Sequence, residues 1–329
     1  MNVIVTGGAG FIGSTLVKRF VRDGMRVKVI DNLCRGNLNN LTLSDDEYAI
    51  DLNKDFFLSD LTDYSKCLEL IREADVVYHL ADVVGGIHFV FNNEEFVFRQ
   101  NILIDSNVIS ACLFNNIPNY IYVGTACSFP KHLQMQDGIV ALSEEQTYPA
   151  EPESSYGWSK LMGEYFTGLH QKSGKINIGL LRFHNVYGPG QSYDPRHSQV
   201  IPSLIYKVIN LEDGTLDVWG SGNQYRDFVF IDDVVESLVL VLKHGMNQGL
   251  IQIGSEKATT IKELAELIVG ISNKQVTVCY DASRPEGDRG RIAVCDRARK
   301  ILGWKPETEL RTGLEKTYQW MSKRIYLKR

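Results

Sequence analysis

The sequence has no long run of apolar residues. Nothing in its 329 residues approaches the roughly 18 consecutive apolar residues that a membrane-spanning helix requires. The N-terminus also has no basic stretch ahead of an apolar segment, because Val3–Val5 already has the composition of a buried strand. We therefore expect no signal peptide and no membrane partner.

The chain has no surplus of basic residues either. Its formal net charge is −5, whereas binding to nucleic acid by bulk electrostatics requires a basic stripe. With 44% hydrophobic and 23% charged residues, it has the composition of an ordinary globular protein. We therefore exclude nucleic acid as a partner.

The sequence also contains no C-x-x-C pair. Its cysteines are scattered, which argues against both a zinc site and a disulfide framework. We expect reduced thiols, a cytoplasmic location and no bound metal. The six cysteines are Cys34, Cys67, Cys112, Cys127, Cys279 and Cys295.

What the first half of the chain does have is a regular alternation of short apolar segments with longer amphipathic ones. This alternation predicts a parallel sheet covered by helices on both faces. The predicted strands are Val3–Thr6, Arg26–Ile30, Val76–His79, Tyr120–Val123 and Ile176–Phe183, and the predicted helices are Ser14–Asp23, Tyr64–Glu73, Glu95–Phe114 and Ser155–Lys172.

A G-x-x-G-x-x-G loop lies between the first predicted strand and the first predicted helix. Gly7 permits the tight turn, Gly10 lets the backbone approach a pyrophosphate, and Gly13 lets the helix pack closely on the strand. Phe11 and Ile12 open the helix, whose unpaired N–H groups and positive dipole end favour phosphate. The loop therefore predicts a dinucleotide site.

Together, the loop and the alternation predict an α/β protein: a Rossmann doubly wound parallel sheet with a smaller C-terminal α/β substrate lobe. We expect residues 1–189 to form the dinucleotide-binding domain, with residues 227–244 returning to it. Residues 190–226 and 245–329 are expected to form the lobe.

Acidic residues at strand ends indicate which dinucleotide binds. Asp31 ends the second strand, where a carboxylate binds the adenosine ribose and repels a 2′-phosphate, so NAD is favoured over NADP, although Arg35 nearby could soften that preference. Asp60 either accepts a hydrogen bond from the adenine amino group or is a polar strand end or helix cap. The expected NAD-binding set also includes Asn32, Leu61, Ala81 and Asn101.

Tyr156 and Lys160 lie one helical turn apart on one predicted helix face. A phenol ionises near pH 10, and an adjacent ammonium, together with positively charged nicotinamide, favours the phenolate. The phenolate is a general base that takes the proton from a substrate hydroxyl while hydride leaves for the cofactor. Thr125, at a strand end, supplies a hydroxyl for the same substrate oxygen.

Several further segments are similar to motifs of one family. Residues 182–189 (RFHNVYGP) match its R-x-x-N-x-Y-G-P, and the chain also has VIP at 200–202, WGSG at 219–222, RDFVFIDD at 226–233 and LGWKP at 302–306. Over nearly its whole length the chain resembles the extended short-chain dehydrogenase/reductase family of nucleotide-sugar enzymes.

The resemblance implies a nucleotide-diphosphate sugar as substrate and a homodimer formed through the helices at 95–114 and 155–172. It places Asn185, Val200, Trp219 and Arg226 around the diphosphate. A guanidinium can bind a diphosphate with two hydrogen bonds, whereas a surface ion pair is the alternative role for Arg226.

Two further stretches resemble the branch that contains GDP-mannose 3,5-epimerase and GDP-fucose synthase. Residues 81–87, with Gly85 and Gly86, are expected to contact substrate. Residues 124–130 place Cys127 where that branch has an acid/base for epimerisation beside a 4-keto group, and a GDP-sugar is the substrate implied. Residues 284–291 are closer to the 3,5-epimerase, in which the arginine matching Arg289 contacts substrate.

The chain also departs from this branch. Inversion requires a second acid/base, yet Gln199 stands where GDP-fucose synthase has histidine. GDP-mannose 3,5-epimerase has a lysine in this loop, and residues 190–201 of this chain contain none. His197 is the replacement with a suitable pKa, unless it is a surface histidine. The prediction is an NAD-dependent nucleotide-sugar epimerase acting by transient C4 oxidation. The alternatives are a 4-epimerase, a 4-dehydrogenase, a 4-keto-sugar epimerase or reductase, or a catalytically idle NAD-binding scaffold.

Overall fold

A computed structural model describes residues 1–44, 47–194, 198–212, 214–284 and 287–326. Sixteen strands are found there: β1 Asn2–Thr6, β2 Arg26–Asp31, β3 Thr42–Ser44, β4 Glu47–Tyr48, β5 Phe56–Leu58, β6 Val76–His79, β7 Asn119–Thr125, β8 Ala141–Leu142, β9 Asn177–Phe183, β10 Asn185–Tyr187, β11 Gly214–Trp219, β12 Tyr225–Phe230, β13 Leu250–Ile253, β14 Ala258–Thr260, β15 Val276–Asp281 and β16 Ile292–Ala293.

The same residues contain ten α-helices, which alternate with strands through the first half of the chain. They are α1 Phe11–Arg22, α2 Tyr64–Leu70, α3 Ile87–Asn92, α4 Glu94–Phe114, α5 Lys131–Gln134, α6 Ser155–Ser173, α7 Val200–Asn210, α8 Ile231–Leu240, α9 Ile261–Ser272 and α10 Leu310–Tyr326. In this part of the chain, no helix combines the length and apolar character needed to cross a bilayer.

Seven strands form one parallel sheet in the order β13-β9-β7-β6-β1-β2-β5. The chain starts in the middle at β1, builds outward through β2 and β5, and then returns to build the other half from β6. The predicted doubly wound Rossmann sheet is therefore confirmed. Ligands of such sheets bind beyond the carboxyl ends of the strands, at the point where the winding reverses.

Helices cover both faces of this sheet. α1 packs against α8, while α4 packs against α2 and α6. The apolar side chains accordingly form two separate large clusters of buried residues. All four residues of the central strand β6 are buried, as expected for a parallel strand with helices above and below.

One expected boundary is wrong. Residues 250–253 were expected in the lobe, but β13 is the edge strand of the large sheet and pairs in parallel with β9. The chain crosses from β12 through α8 to this edge, and Ile251 and Ile253 are buried there. A segment of three apolar residues and one glutamine is compatible with a strand in either domain, so the sequence pattern alone does not place it.

The remaining elements form smaller units beside the sheet. β11 pairs with β15, and β12 lies between β10 and β14. β8, which precedes α6, pairs with β16 at residues 292–293. This last pair brings residues near position 290 back toward the carboxyl ends of β6 and β7.

Candidate active site

The glycine loop forms a tight turn between β1 and α1. Gly7 has φ +68°, a conformation that favours glycine, and a Cβ there would lie 2.8 Å from the backbone of Ala81. A Cβ on Gly13 would collide with the carbonyl oxygen of Gly7. Gly10 offers no side chain to cap α1, so the N–H groups of its first turn remain available to a phosphate. This cradle fits a dinucleotide pyrophosphate.

Asp31 closes one side of this turn. Its carboxylate is 7% exposed and accepts hydrogen bonds from the N–H groups of Ala9 (3.0 Å) and Leu33 (2.8 Å). Burial raises the pKa of Asp31, although these two hydrogen bonds act in the opposite direction. The acid expected at the ribose therefore stands beside the glycine turn and is fixed by it.

Other expected NAD-binding residues take part in local structure. Asp60 accepts from the N–H and hydroxyl of Thr62 in the loop after β5, whereas the residue that caps the following helix α2 is Asp63. Asn32 accepts from the N–H of Cys34. Leu61 is buried in the apolar cluster below the sheet.

Asn101 was also expected at the cofactor. It is fully buried on α4, and its side-chain N–H groups donate to the carbonyl oxygen of Val83 (3.0 Å) and the hydroxyl of Ser159 (3.3 Å). Its carbonyl oxygen accepts from the N–H of Val83 (2.6 Å). Both side-chain N–H groups of Asn101 thus bond within the protein and hold the loop after β6 against α6.

Tyr156 lies in the first turn of α6, opposite the loop that follows β6. Its hydroxyl donates to a carboxylate oxygen of Asp82 at 3.1 Å. Burial, with Asp82 and Cys127 close by, raises the pKa of Tyr156 well above its usual value, and a hydrogen bond with Thr125 acts in the opposite direction. In the protein without NAD, burial, Asp82 and Cys127 oppose ionisation of the phenol, and the predicted phenolate also requires the positive charge of the bound nicotinamide.

Lys160 is buried and belongs to a different set of contacts. Its ammonium lies 4.0 Å from the Asp105 carboxylate and 4.3 Å from the ring centre of Tyr122. Asp105 also accepts from Tyr122 (2.5 Å) and lies 3.0 Å from Nε2 of His79. Burial opposes its charge, but Lys160 and His79 outweigh burial and hold the pKa of Asp105 below its usual value.

Cys127 lies in a short turn directly after β7. Its N–H donates to the hydroxyl of Thr125 (3.2 Å), and its sulfur accepts from a guanidinium N–H of Arg291 at 3.6 Å. Arg291 is 5% exposed and also donates to Asp288 (2.9 Å) and Gln134. Its Nε is buried without a partner among the described residues. The expected acid/base thus has a buried cation at its sulfur.

Arg226 lies on β12, beside the carboxylate of Asp288 that also contacts Arg291. Its guanidinium pairs with Asp288 at 2.9 Å and donates to the carbonyl oxygen of Tyr225. Burial lowers the pKa of Arg226, against the opposing influence of Asp288. A Cβ on Gly287 would lie 3.6 Å from this guanidinium and 3.1 Å from the side chain of Ile87. Arg226 therefore stands next to the loop expected to contact substrate.

The other residues expected to contact substrate come from several different helices, strands and loops. Gly86 precedes α3, where a Cβ would lie 3.1 Å from the carbonyl oxygen of Ser198. Trp219 is 51% exposed and has the Arg284 guanidinium 5.3 Å from its ring centre. Arg289 is exposed and pairs with Asp137. Gly85 lies beside Gly86, Asn185 begins β10, Val200 begins α7, and His197 lies outside the described residues.

Sequence reasoning missed two residues of the site. Asp82 was treated as part of a glycine-containing stretch, and Arg291 as the end of the segment that carries Arg289. Neither has a local pattern that marks it, because the partner of Asp82 is 74 positions away and that of Arg291 is 164 positions away.

Comparisons with known proteins agree with this geometry. The chain matches the model of the NAD dependent epimerase/dehydratase family over residues 3–254. It is 30% identical over 325 residues to GDP-mannose 3,5-epimerase of Arabidopsis thaliana, covering 99% of this chain and 83% of that protein. It is 29% identical over 335 residues to GDP-L-fucose synthase of Escherichia coli, covering 97% and 96%.

A solved structure is similar along the full length. UDP-glucose 4-epimerase of Thermotoga maritima, solved with UDP-glucose, superposes with a TM-score of 0.88 at 25% identity and covers 99% of this chain and all of that one. The family match spans well over half of the chain and includes the glycine turn, Asp31 and the Tyr156/Lys160 pair. The chain is thus a member of the NAD dependent epimerase/dehydratase family, a nucleotide-sugar enzyme family with NAD as its cofactor.

Proposed function

We propose that the chain is a nucleotide-sugar epimerase of the GDP-mannose 3,5-epimerase kind. The observation that carries this proposal is the position of Cys127, two residues after Thr125, with the buried guanidinium of Arg291 at its sulfur. The thiolate is the form of a cysteine that removes protons, and the guanidinium of Arg291 donates a hydrogen bond to this sulfur. The 30% identity to the plant enzyme over almost the entire chain supports the same assignment.

The proposed chemistry divides between two groups. Tyr156 takes the proton from the C4 hydroxyl, with Thr125 bonded to the same oxygen, and NAD when bound accepts the hydride. The C–H bonds next to the new ketone become acidic, and Cys127 removes a proton from one of them. Arg226 binds the diphosphate and so holds the sugar ring between these groups.

A C4-epimerase for UDP-sugars is the second candidate. The similarity to UDP-glucose 4-epimerase at a TM-score of 0.88 favours it, and that reaction requires no acid/base at C3 or C5. The proposed second acid/base, His197, lies outside the described residues. An idle scaffold is disfavoured, because Thr125, Tyr156 and Lys160 are all present and Thr125 lies within hydrogen-bond reach of the Tyr156 hydroxyl.

Deuterium exchange separates the two candidates. We expect GDP-mannose incubated with the enzyme in deuterated water to gain deuterium at C3 or C5, as read by NMR. Cys127→Ser should lose this exchange by about a hundredfold or more. Cys279→Ser, at an exposed cysteine on β15, is the matched control and should exchange normally. Inversion of C4 in UDP-glucose without exchange at C3 or C5 would replace the proposal with the second candidate.

We also infer that two copies of the chain form a dimer through α4 and α6. These helices pack side by side and expose large apolar side chains. Such a contiguous apolar surface is typical of a protein interface. Its residues are Phe98, Leu103, Trp158, Met162, Tyr165 and Leu169.

A further inference from the structure

The hydroxyl of Tyr156 already donates its hydrogen to Asp82 at 3.1 Å. A phenol in this state is not a base, because it still holds its own proton. Burial and two neighbouring acidic groups, Asp82 and Cys127, keep it protonated. For Tyr156 to accept a proton from a substrate hydroxyl, its own proton requires a destination.

Asp82 is the acceptor that the structure places at the phenol. It comes from the loop after β6, where the hydrogen bonds of Asn101 to Val83 fix the backbone next to it. The other groups at the phenol are Thr125, the last residue of β7, and Cys127 in the turn after it. Thr125 already accepts from the N–H of Cys127, and Lys160 lies against Asp105 and Tyr122.

We propose that Asp82 is a positioning residue that receives the Tyr156 proton when Tyr156 deprotonates the sugar. This inference rests on the proposed function. The step is balanced: the C4 hydroxyl proton passes to the Tyr156 oxygen, the Tyr156 proton passes to Asp82, and hydride passes to NAD. The products are a 4-keto sugar, NADH and a neutral Asp82 carboxylic acid.

Storage of this proton suits a reaction without net redox change. When hydride returns to C4, the ketone oxygen takes a proton from Tyr156, which recovers its own from Asp82. The proton thus remains within the site through the life of the keto intermediate. Without Asp82, solvent would have to take up the Tyr156 proton and later return it.

The first test requires neither substrate nor cofactor. The protein is labelled at the tyrosine Cζ with carbon-13, the Tyr156 signal is assigned by its absence in Tyr156→Phe, and its ionisation is followed by NMR. Asp82→Asn removes the adjacent negative charge, so Tyr156 should ionise at a pH lower by about one unit or more. Asp217→Asn, at an exposed carboxylate on β11, should leave the titration unchanged. Equal titration in Asp82→Asn and the wild type would overturn the proposal.

The second test is chemical rescue. Asp82→Ala should reduce hydride transfer, measured as NADH absorbance in single turnovers, by about a hundredfold. Formate, a small carboxylate, should restore part of this rate, and Asp82→Glu should retain activity. A structural role would not be repaired by formate, so absence of rescue would overturn the proton transfer. If the wild type turns over no nucleotide sugar, the proposed function fails, while the NMR titration still decides whether Asp82 controls Tyr156.

Discussion

Arg291 connects the proposed acid/base to the substrate lobe. It donates to the sulfur of Cys127 and to the carboxylate of Asp288, and Asp288 in turn pairs with Arg226. Two buried guanidinium groups thus share one carboxylate. An added diphosphate would supply the negative charge that this cluster lacks.

We expect Arg291→Lys to reduce turnover about tenfold or more while NAD binding is retained. A lysine has one compact ammonium and cannot contact Cys127, Asp288 and Gln134 together as the planar guanidinium does. Turnover is measured with the nucleotide sugar that the wild type accepts, and NAD binding by calorimetry. Arg311→Lys, at an exposed arginine on α10, is the control. Unchanged turnover in Arg291→Lys would show that the contact with Cys127 is not used.

At this scale, the sequence predicted residues with a local pattern and missed those without one. The glycine turn, Asp31 and the Tyr156/Lys160 pair follow from spacing within a few residues, and the structure brings them to one end of the sheet. Asp82 and Arg291 reach their partners across different elements. The presence of Lys160 was predicted, but its electrostatic partner Asp105 comes from another helix.

At the scale of elements, α4 and α6 are joined by buried polar contacts. Asp105 and Asn101 on α4 meet Lys160 and Ser159 on α6, while Glu164 on α6 forms an ion pair with the fully buried Arg182 of β9. These contacts fix α6 against the sheet and so determine where its first turn, with Tyr156, lies.

Asp105→Asn should destabilise the protein by about 3 kcal/mol. The substitution leaves the Lys160 ammonium buried without its counter-charge, and an uncompensated buried charge is costly. Urea unfolding at neutral pH measures the change. Asp217→Asn, at an exposed position on β11, should change the free energy of unfolding by less than about 0.5 kcal/mol. Equal stability of Asp105→Asn and the wild type would contradict the role given to Asp105.

The element pattern was easier to predict than the sheet order. Alternation of apolar and amphipathic segments located α4 and α6 to within one residue at each end, whereas α1 begins and α2 ends three residues earlier than predicted. β13 was assigned to the wrong domain, because pairing with β9 is a tertiary contact that four residues do not encode locally.

At the scale of the whole molecule, the exposed apolar surface of α4 and α6 predicts a dimer. Tyr165 is 55% exposed and Met162 is 45% exposed. Light scattering should give a mass near twice 37.2 kDa for the wild type, and Met162→Lys/Tyr165→Glu should give the monomer mass. Ile139→Glu, at another exposed apolar position, should leave the dimer intact. A monomeric wild type would overturn the inferred interface.

The pH dependence of stability is a second property of the whole molecule. Burial, against the attraction of Asp227, lowers the pKa of His184 to about 4, whereas a histidine in an unfolded chain titrates near 6.5. Between these values the unfolded state binds a proton that the folded state does not. Stability should therefore fall by up to about 3 kcal/mol as pH drops from about 6.5 toward 4.

His184→Gln isolates this contribution, because glutamine can still donate to Gln252 but does not titrate in this range. Urea unfolding from pH 4.5 to 7.5 should show a shallower pH dependence in this variant than in the wild type. His88→Gln, at an exposed histidine, should follow the wild-type curve. Parallel curves for His184→Gln and the wild type would mean that His184 is not held neutral.

The pairing of β8 with β16 has a consequence for how the molecule can be divided. All seven strands of the large sheet lie before residue 254, so a protein ending there would keep every strand of its nucleotide fold. It would lose Asp288 and Arg291, and with them the neighbours of Arg226 and Cys127. Residues 3–254, which match the family model, thus contain all of the large sheet except Asn2. The charged side chains that contact Arg226 and Cys127 come instead from residues 287–326.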